Sequence, residues 1–114
     1  MEKSILKSTK KILGIDAEYT AFDLDILTHI NSAFSVLNQL GIGPANGFMI
    51  EDDQITWDAF FGTDPRLNLI KTYVYLKVRM LFDPPNTSYL IDAQNKQIQE
   101  YEWRLNAFRE VELA

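Results

Sequence analysis

The chain has 114 residues, of which 46% are hydrophobic and 24% charged, and these values are typical of a single globular domain. The absence of cysteine excludes disulfide frameworks, thiolate metal sites and cysteine nucleophiles. A net charge of −5 disfavours tight non-specific binding to nucleic acid, because phosphate backbones repel an acidic chain. We expect neither a signal peptide nor a membrane-spanning helix, and therefore a soluble intracellular protein.

The first predicted helix runs from about Glu2 to Leu13, and Gly14 provides a C-terminal stop. The segment carries four lysines: Lys3, Lys7, Lys10 and Lys11. The residues that follow it are acidic, with Asp16 and Glu18 among them. Two interpretations are open: the lysines form a basic arm that docks on a neighbouring copy, or they form a solvated helix face.

A second helix is predicted over residues 22–40. Its apolar residues fall within an arc of about 140° on a helical wheel. Thr20 and Asp23 resemble a capping box at its start, and glycines end it at residues 41 and 43.

Residues 41–63 form a predicted turn-rich connection, in which Thr56 caps a single helical turn over residues 57–61 and Gly62 closes it. The connection carries four large aromatic residues: Phe48, Trp57, Phe60 and Phe61. This apolar area is too large to remain in solvent, so the connection must fold over the helices or against a partner.

The third helix is predicted from near Pro65 to Asp83, where Pro84 and Pro85 end it. Its apolar residues cover an arc of about 200°, twice the usual width. Either the other helices of the chain wrap this arc, or part of it is an intersubunit surface. Lys77 lies within the arc and either extends to solvent or pairs with a carboxylate of this or another subunit.

The fourth helix is predicted to begin after Ser88 and to reach Val111. Its apolar stripe is narrow: Leu90, Ile98, Tyr101, Leu105 and Phe108. Trp103 lies opposite this stripe, where it is either an interface anchor or is covered by another part of the chain. Arg104 and Glu100 are spaced for an i,i+4 pair.

The sequence thus predicts an all-α fold, a single four-helix domain spanning residues 1–114 with a long loop at 41–63 and a flexible tail at 107–114. No phosphate-binding loop, nucleophile elbow or zinc signature is present, and we predict no enzyme activity, cofactor or metal. One competing hypothesis is a small helical regulatory or adaptor module that binds a host protein through the aromatic residues of the connection. Another is a metal-dependent phosphohydrolase that uses Asp25, His29, Asp52 or Asp53.

The order of five segments resembles the head–tail connector, or adaptor, proteins of long-tailed bacteriophages and prophages. These segments are KKILGID, DILTHINSAFSVLNQLGIGP, GFMIED with TWDAFFG, YLKVRMLFDPP and QIQEYEWRLN. The resemblance spans nearly the whole chain and depends on order and spacing, since no single segment is diagnostic.

The resemblance implies a structural, ring-forming head-completion protein, dodecameric in the virion, that joins the portal after DNA packaging in the host cytoplasm. Its partners would be other copies of itself, the portal protein and a tail-side stopper, with DNA only as passing cargo and no membrane. Analogy of fold alone does not fix this function. The candidate contact residues are Lys10, Lys11, Phe48, Trp57, Phe61, Lys77, Trp103, Arg104 and Phe108.

Overall fold

The computed structural model describes residues 3–62 and 64–113, with side chains described as far as Ala107. The helices are α1 (Ile5–Ile12), α2 (Asp23–Gln39), α3 (Trp57–Phe61), α4 (Leu67–Phe82) and α5 (Ser88–Leu113). The predicted all-α class is confirmed. The described ranges contain no strand, only one isolated antiparallel bridge between Ser4 and Thr56.

Glycines end the first two helices, as predicted. Gly14 has a φ of 79° and Gly41 a φ of 83°, a backbone region that glycine enters without a steric penalty. The amide of Ile15 donates to the carbonyl of Lys10 at 2.8 Å, and that of Ile42 donates to Leu37 at 2.9 Å. Both helices therefore end in Schellman motifs, which satisfy carbonyl groups left free by the last turn.

The predicted capping box of α2 is wrong, whereas Thr56 does lie at the predicted N-cap of α3. Phe22 occupies the N-cap position of α2 and no side chain caps that helix, because the Asp23 carboxylate pairs with Lys10 instead. Thr56 occupies the N-cap position of α3 but makes no side-chain cap bond. Packing against other elements therefore stabilises both helix starts.

The connection over residues 41–62 folds back over α2, so one of its two predicted alternatives is observed. Phe34 of α2 contacts Phe48 and Phe60, with ring centroids 5.0 and 4.7 Å away. The Asn31 side chain fastens the connection, because it accepts from the amide of Ile50 at 2.8 Å and donates to its carbonyl at 2.9 Å. Such an amide substitutes for a neighbouring strand.

Helix α4 lies at the centre of the molecule and contacts α2, α3 and α5. Five side chains on it are buried: Leu67, Ile70, Tyr73, Val74 and Val78. The chain itself thus covers much of the predicted 200° arc, while Leu81, in the last turn of the helix, is exposed. The helix ends at Phe82, immediately before the predicted stop at Asp83 and the two prolines.

Helix α5 packs on α4 through the buried residues Ile98 and Leu105. It has 26 residues, which corresponds to about 39 Å of helix. The longest dimension of the whole molecule is 44 Å. Leu90, in the first turn of α5, was predicted to belong to the apolar stripe of this helix, but it is exposed.

Candidate assembly surfaces

The aromatic residues of the connection contribute mainly to the core. Trp57 is 1% exposed, and its indole nitrogen donates to the Ser8 hydroxyl of α1 at 2.9 Å. Phe48 and Phe61 are half-buried, and the Arg66 guanidinium lies over the Phe61 ring at 5.5 Å. Within one chain, therefore, Trp57 offers no surface to a partner, whereas the edges of Phe48 and Phe61 remain accessible.

Lys10 is buried rather than part of a basic face. Its side-chain nitrogen donates to the carbonyls of Ala17 and Tyr19, at 3.1 and 2.6 Å, and lies 2.8 Å from the Asp23 carboxylate. The ammonium therefore has three oxygen partners, which offset the cost of removing its charge from water. This finding corrects both predicted roles of Lys10, the docking arm and the solvated face, since the side chain fastens the α1–α2 connection.

The accessible lysines of the basic segment lie on α1 and just before it. Lys3 and Lys11 are exposed, and Lys7 is half-exposed with its nitrogen 3.8 Å from Asp53. The i, i+4 spacing keeps Lys7 and Lys11 on one side of α1, and Lys3 precedes the N-cap Ser4. A partner could reach Lys11 without displacing other parts of the chain.

Lys77 extends toward solvent and has a carboxylate of its own chain nearby. Its nitrogen lies 3.9 Å from Glu102 on α5, which also accepts a 2.7 Å hydrogen bond from the Tyr73 hydroxyl. Burial, together with the Glu102 carboxylate, raises the pKa of Tyr73 well above its ordinary value, so the phenol stays protonated. This group links α4 to α5.

Trp103 lies on the outer face of α5 and is 71% exposed. Neither α1 nor the connection covers it. The neighbouring Arg104 is exposed and donates to Glu100 at 2.7 Å, the predicted i,i+4 pair. The side chain of Phe108 lies outside the described residues. Trp103 is therefore a large exposed apolar residue with charged neighbours, and tryptophan is a residue type enriched in interface hot spots.

One end of the molecule exposes an apolar surface that the sequence did not predict. The contact of Phe22 with Phe82, with ring centroids 5.4 Å apart, brings the start of α2 to the end of α4, beside the start of α5. The large exposed residues at this end are Ile12, Tyr19, Phe22, Leu24, Leu81, Tyr89 and Leu90. We name this surface the apolar end. Leu24 lies outside the apolar arc of α2. That position was the one feature of the sequence that indicated an exposed apolar residue at this end.

A notch lies beside the apolar end, where α4 turns into α5. Its volume is about 280 Å³, and it is lined by Arg79, Asp83, Pro84, Pro85, Asn86 and Gln94. Arg79 is held in place because its guanidinium donates to the carbonyl of Ile12 at 2.6 Å. The double proline, predicted only as a helix stop, thus also forms part of a concave surface.

The described residues contain no cluster of three or more potential metal ligands among His, Asp and Glu. His29 is half-buried and lies edge-on to Phe82, with ring centroids 6.5 Å apart. None of the helices in the described ranges is both long enough and apolar enough to cross a bilayer.

The comparisons with known proteins agree with the resemblance. A family model described as phage connector protein matches residues 5–112, nearly the whole chain. No curated protein and no solved structure matches the chain. The family model covers all five helices of the structure, from α1 to the last turn of α5. The chain therefore belongs to the phage connector protein family, which points to a structural component of the bacteriophage head–tail connection.

Proposed function

We propose that this protein is the subunit of a ring that binds the portal after DNA packaging and joins it to the tail-side stopper. The observation that carries the proposal is the family match over residues 5–112. The ring would be dodecameric in the virion, after assembly in the bacterial cytoplasm. The function is then structural: each subunit holds its neighbours and two different partners in register.

The surfaces described above support this proposal. The apolar end and Trp103 are separate parts of the molecule, and a subunit needs two different surfaces to form a closed ring with its neighbours. Several large apolar residues exposed at one end of a small protein are typical of an interaction site. Lys11, Arg104 and Phe108 remain candidate contacts on the exposed helices.

The acidic balance of the chain fits a conduit for DNA. A net charge of −5 repels phosphate groups, so a channel built from such subunits would not retain the passing duplex. Neutral or acidic walls lower the electrostatic barrier to release. DNA is thus cargo in this proposal and not a ligand.

The test is reconstitution with the portal protein of the same phage. Purified portal rings, mixed with the full chain and imaged by negative stain, should gain an additional ring of density at the tail-facing end. Trp103→Ala should reduce that occupancy by roughly tenfold, as for an interface tryptophan, and leave the monomer folded. Gln97→Ala, an exposed change on another side of α5, is the matched control. Portals that remain unchanged with the wild-type chain would contradict the connector role.

A further inference from the structure

The notch has the chemistry of a socket for an indole ring. Its lining is mainly polar, and Pro84 and Pro85 add rigid apolar surface, because the proline ring fixes its own backbone torsion. The Arg79 guanidinium, held by the Ile12 carbonyl, can lie over the face of an aromatic ring. The carboxylate of Asp83 is exposed in the notch and can accept a hydrogen bond from an indole N–H.

The chain carries one exposed indole among its described residues, that of Trp103. It cannot enter the notch of its own chain. Gln94, which lines the notch, precedes Trp103 by nine residues on the same helix, a separation of about 14 Å along the axis. An occupant with this side chain must therefore come from a second copy.

The charges around the two surfaces are opposite in sign. The apolar end and the notch carry more anions than cations: the exposed carboxylates are Asp16, Glu18, Asp25 and Asp83, and the cations are Lys11 and Arg79. Around Trp103 the cations are Lys96 and Arg104, of which Arg104 is already bonded to Glu100. The net negative charge of the apolar end therefore attracts the side of α5 that carries Trp103. Lys96 contributes most, because Arg104 is already paired with Glu100.

Symmetric pairing of two copies through α5 is disfavoured by the same charges. An antiparallel arrangement that sets Tyr89 of one copy against Trp103 of the other has its centre at Lys96. It would place Lys96 against its own counterpart and Asp92 against Glu100, so like charges would meet at both positions. Two apolar ends would likewise repel each other, because both carry a net negative charge. The pattern favours a head-to-tail contact, which closes into a ring when its rotation allows.

We propose that Trp103 of one copy seats in the notch of the next, formed by Arg79, Asp83, Pro84, Pro85, Asn86 and Gln94. This inference rests on the proposed connector role, for which it names the contact between subunits. The ring contact then depends on Trp103 and on the notch, whose α5 residue Gln94 lies about 14 Å from Trp103 along the helix axis.

Cross-linking in this cysteine-free chain tests the contact directly, since every thiol is then an introduced one. Asn86→Cys marks the notch, and Gln99→Cys marks the Trp103 side of α5; both positions are exposed. Mixed and treated with a short bismaleimide, the two full-length variants should give a heterodimer. Gln97→Cys is the matched control, because it lies about 120° from Trp103 on the same helix.

The expected yield with Gln99→Cys exceeds that with Gln97→Cys by roughly tenfold, and adding Trp103→Ala to the Gln99→Cys variant removes the excess. Equal yields from both glutamine positions, at any concentration, overturn the inference. So does a Gln99→Cys product with itself that exceeds the mixed product. A cross-linking yield that Trp103→Ala leaves unchanged overturns the inference as well.

Portal reconstitution separates this inference from the proposed function. Wild-type chains that bind portals but fail the cross-linking comparison form their ring through other surfaces, so only the inference is lost. Chains that pass the comparison but never bind portals contradict the connector role and leave the contact between copies in place.

Discussion

The connection over residues 41–62 and the outer face of α5 each present one tryptophan, and the two residues have opposite environments. Trp57 is enclosed by α1 and α4, with its indole nitrogen bonded to Ser8 and its ring edge-on to Tyr75 at 5.7 Å. Trp103 projects from a helix whose other side packs on α4. An aromatic residue in a long connection is buried when the connection folds back over the helices. An aromatic residue on the outer side of a terminal helix stays exposed.

Two lysines repeat this contrast. Lys77 interrupts the apolar arc of α4, which suggested a buried charge, yet the residue is half-exposed beside Glu102. Lys10 was grouped with its basic neighbours, yet it is 1% exposed and fully bonded. The sequence pattern indicates on which helix face a charge lies. It does not show that a buried ammonium has carbonyl partners, because those of Lys10 belong to Ala17 and Tyr19, beyond the helix.

The largest expected effect separates the two tryptophans. Trp57→Ala should lower the free energy of unfolding by about 3–5 kcal/mol, since it leaves a large cavity and removes the hydrogen bond to the Ser8 hydroxyl. Trp103→Ala should change it by less than about 0.5 kcal/mol, because the side chain is exposed. Urea denaturation followed by circular dichroism measures both values, and similar shifts for the two variants would remove the distinction.

Lys10 provides the next comparison. Lys10→Met should destabilise the fold by about 2–3 kcal/mol, because two carbonyls and the Asp23 carboxylate lose their partner while Asp23 stays partly solvated. Lys11→Met, one residue along and exposed, should have an effect within about 0.5 kcal/mol. Urea denaturation midpoints of the two variants measure the difference. Equal midpoints would show that the buried ammonium contributes little to stability.

Asn31 should have a smaller effect that is localised to the connection. Asn31→Ala removes the partners of the Ile50 amide and carbonyl, and should cost about 1–3 kcal/mol. Hydrogen exchange at the Ile50 amide should accelerate, while exchange in α5 follows only the global stability. Ser32→Ala on the exposed side of α2 is the control, and unchanged protection of Ile50 in the Asn31 variant would contradict the fastening role.

The smallest effect concerns pH. Because the pKa of Tyr73 is raised in the folded chain, its contribution to stability is complete below the ordinary tyrosine pKa of about 10 and falls as pH rises above that value. Tyr73→Phe should cost about 1 kcal/mol at neutral pH, for the lost bond to Glu102, and should flatten the alkaline decline. Urea midpoints between about pH 8 and pH 11 measure this change. Tyr89→Phe, at an exposed site, should leave the decline as in the wild type.

Much of the fold follows from local signals. The helix ends at Gly14, Gly41 and the double proline depend on backbone torsions and missing donors, which act within a few residues. Candidate contacts were harder to predict, because exposure depends on which elements meet. Phe22 belongs to the apolar arc of α2, yet it is exposed where α2 begins at the edge of the molecule.

The sequence by itself determined the helical class, the helix ends and the family, since periodicity, turn residues and segment order are properties of the chain. The tertiary structure decided which side chains are available to partners. It enclosed Trp57 and Lys10, and it left Trp103 and the apolar end uncovered. The physical reason is that burial requires neighbours distant in sequence, such as Ser8 for Trp57, and only the folded chain brings them together.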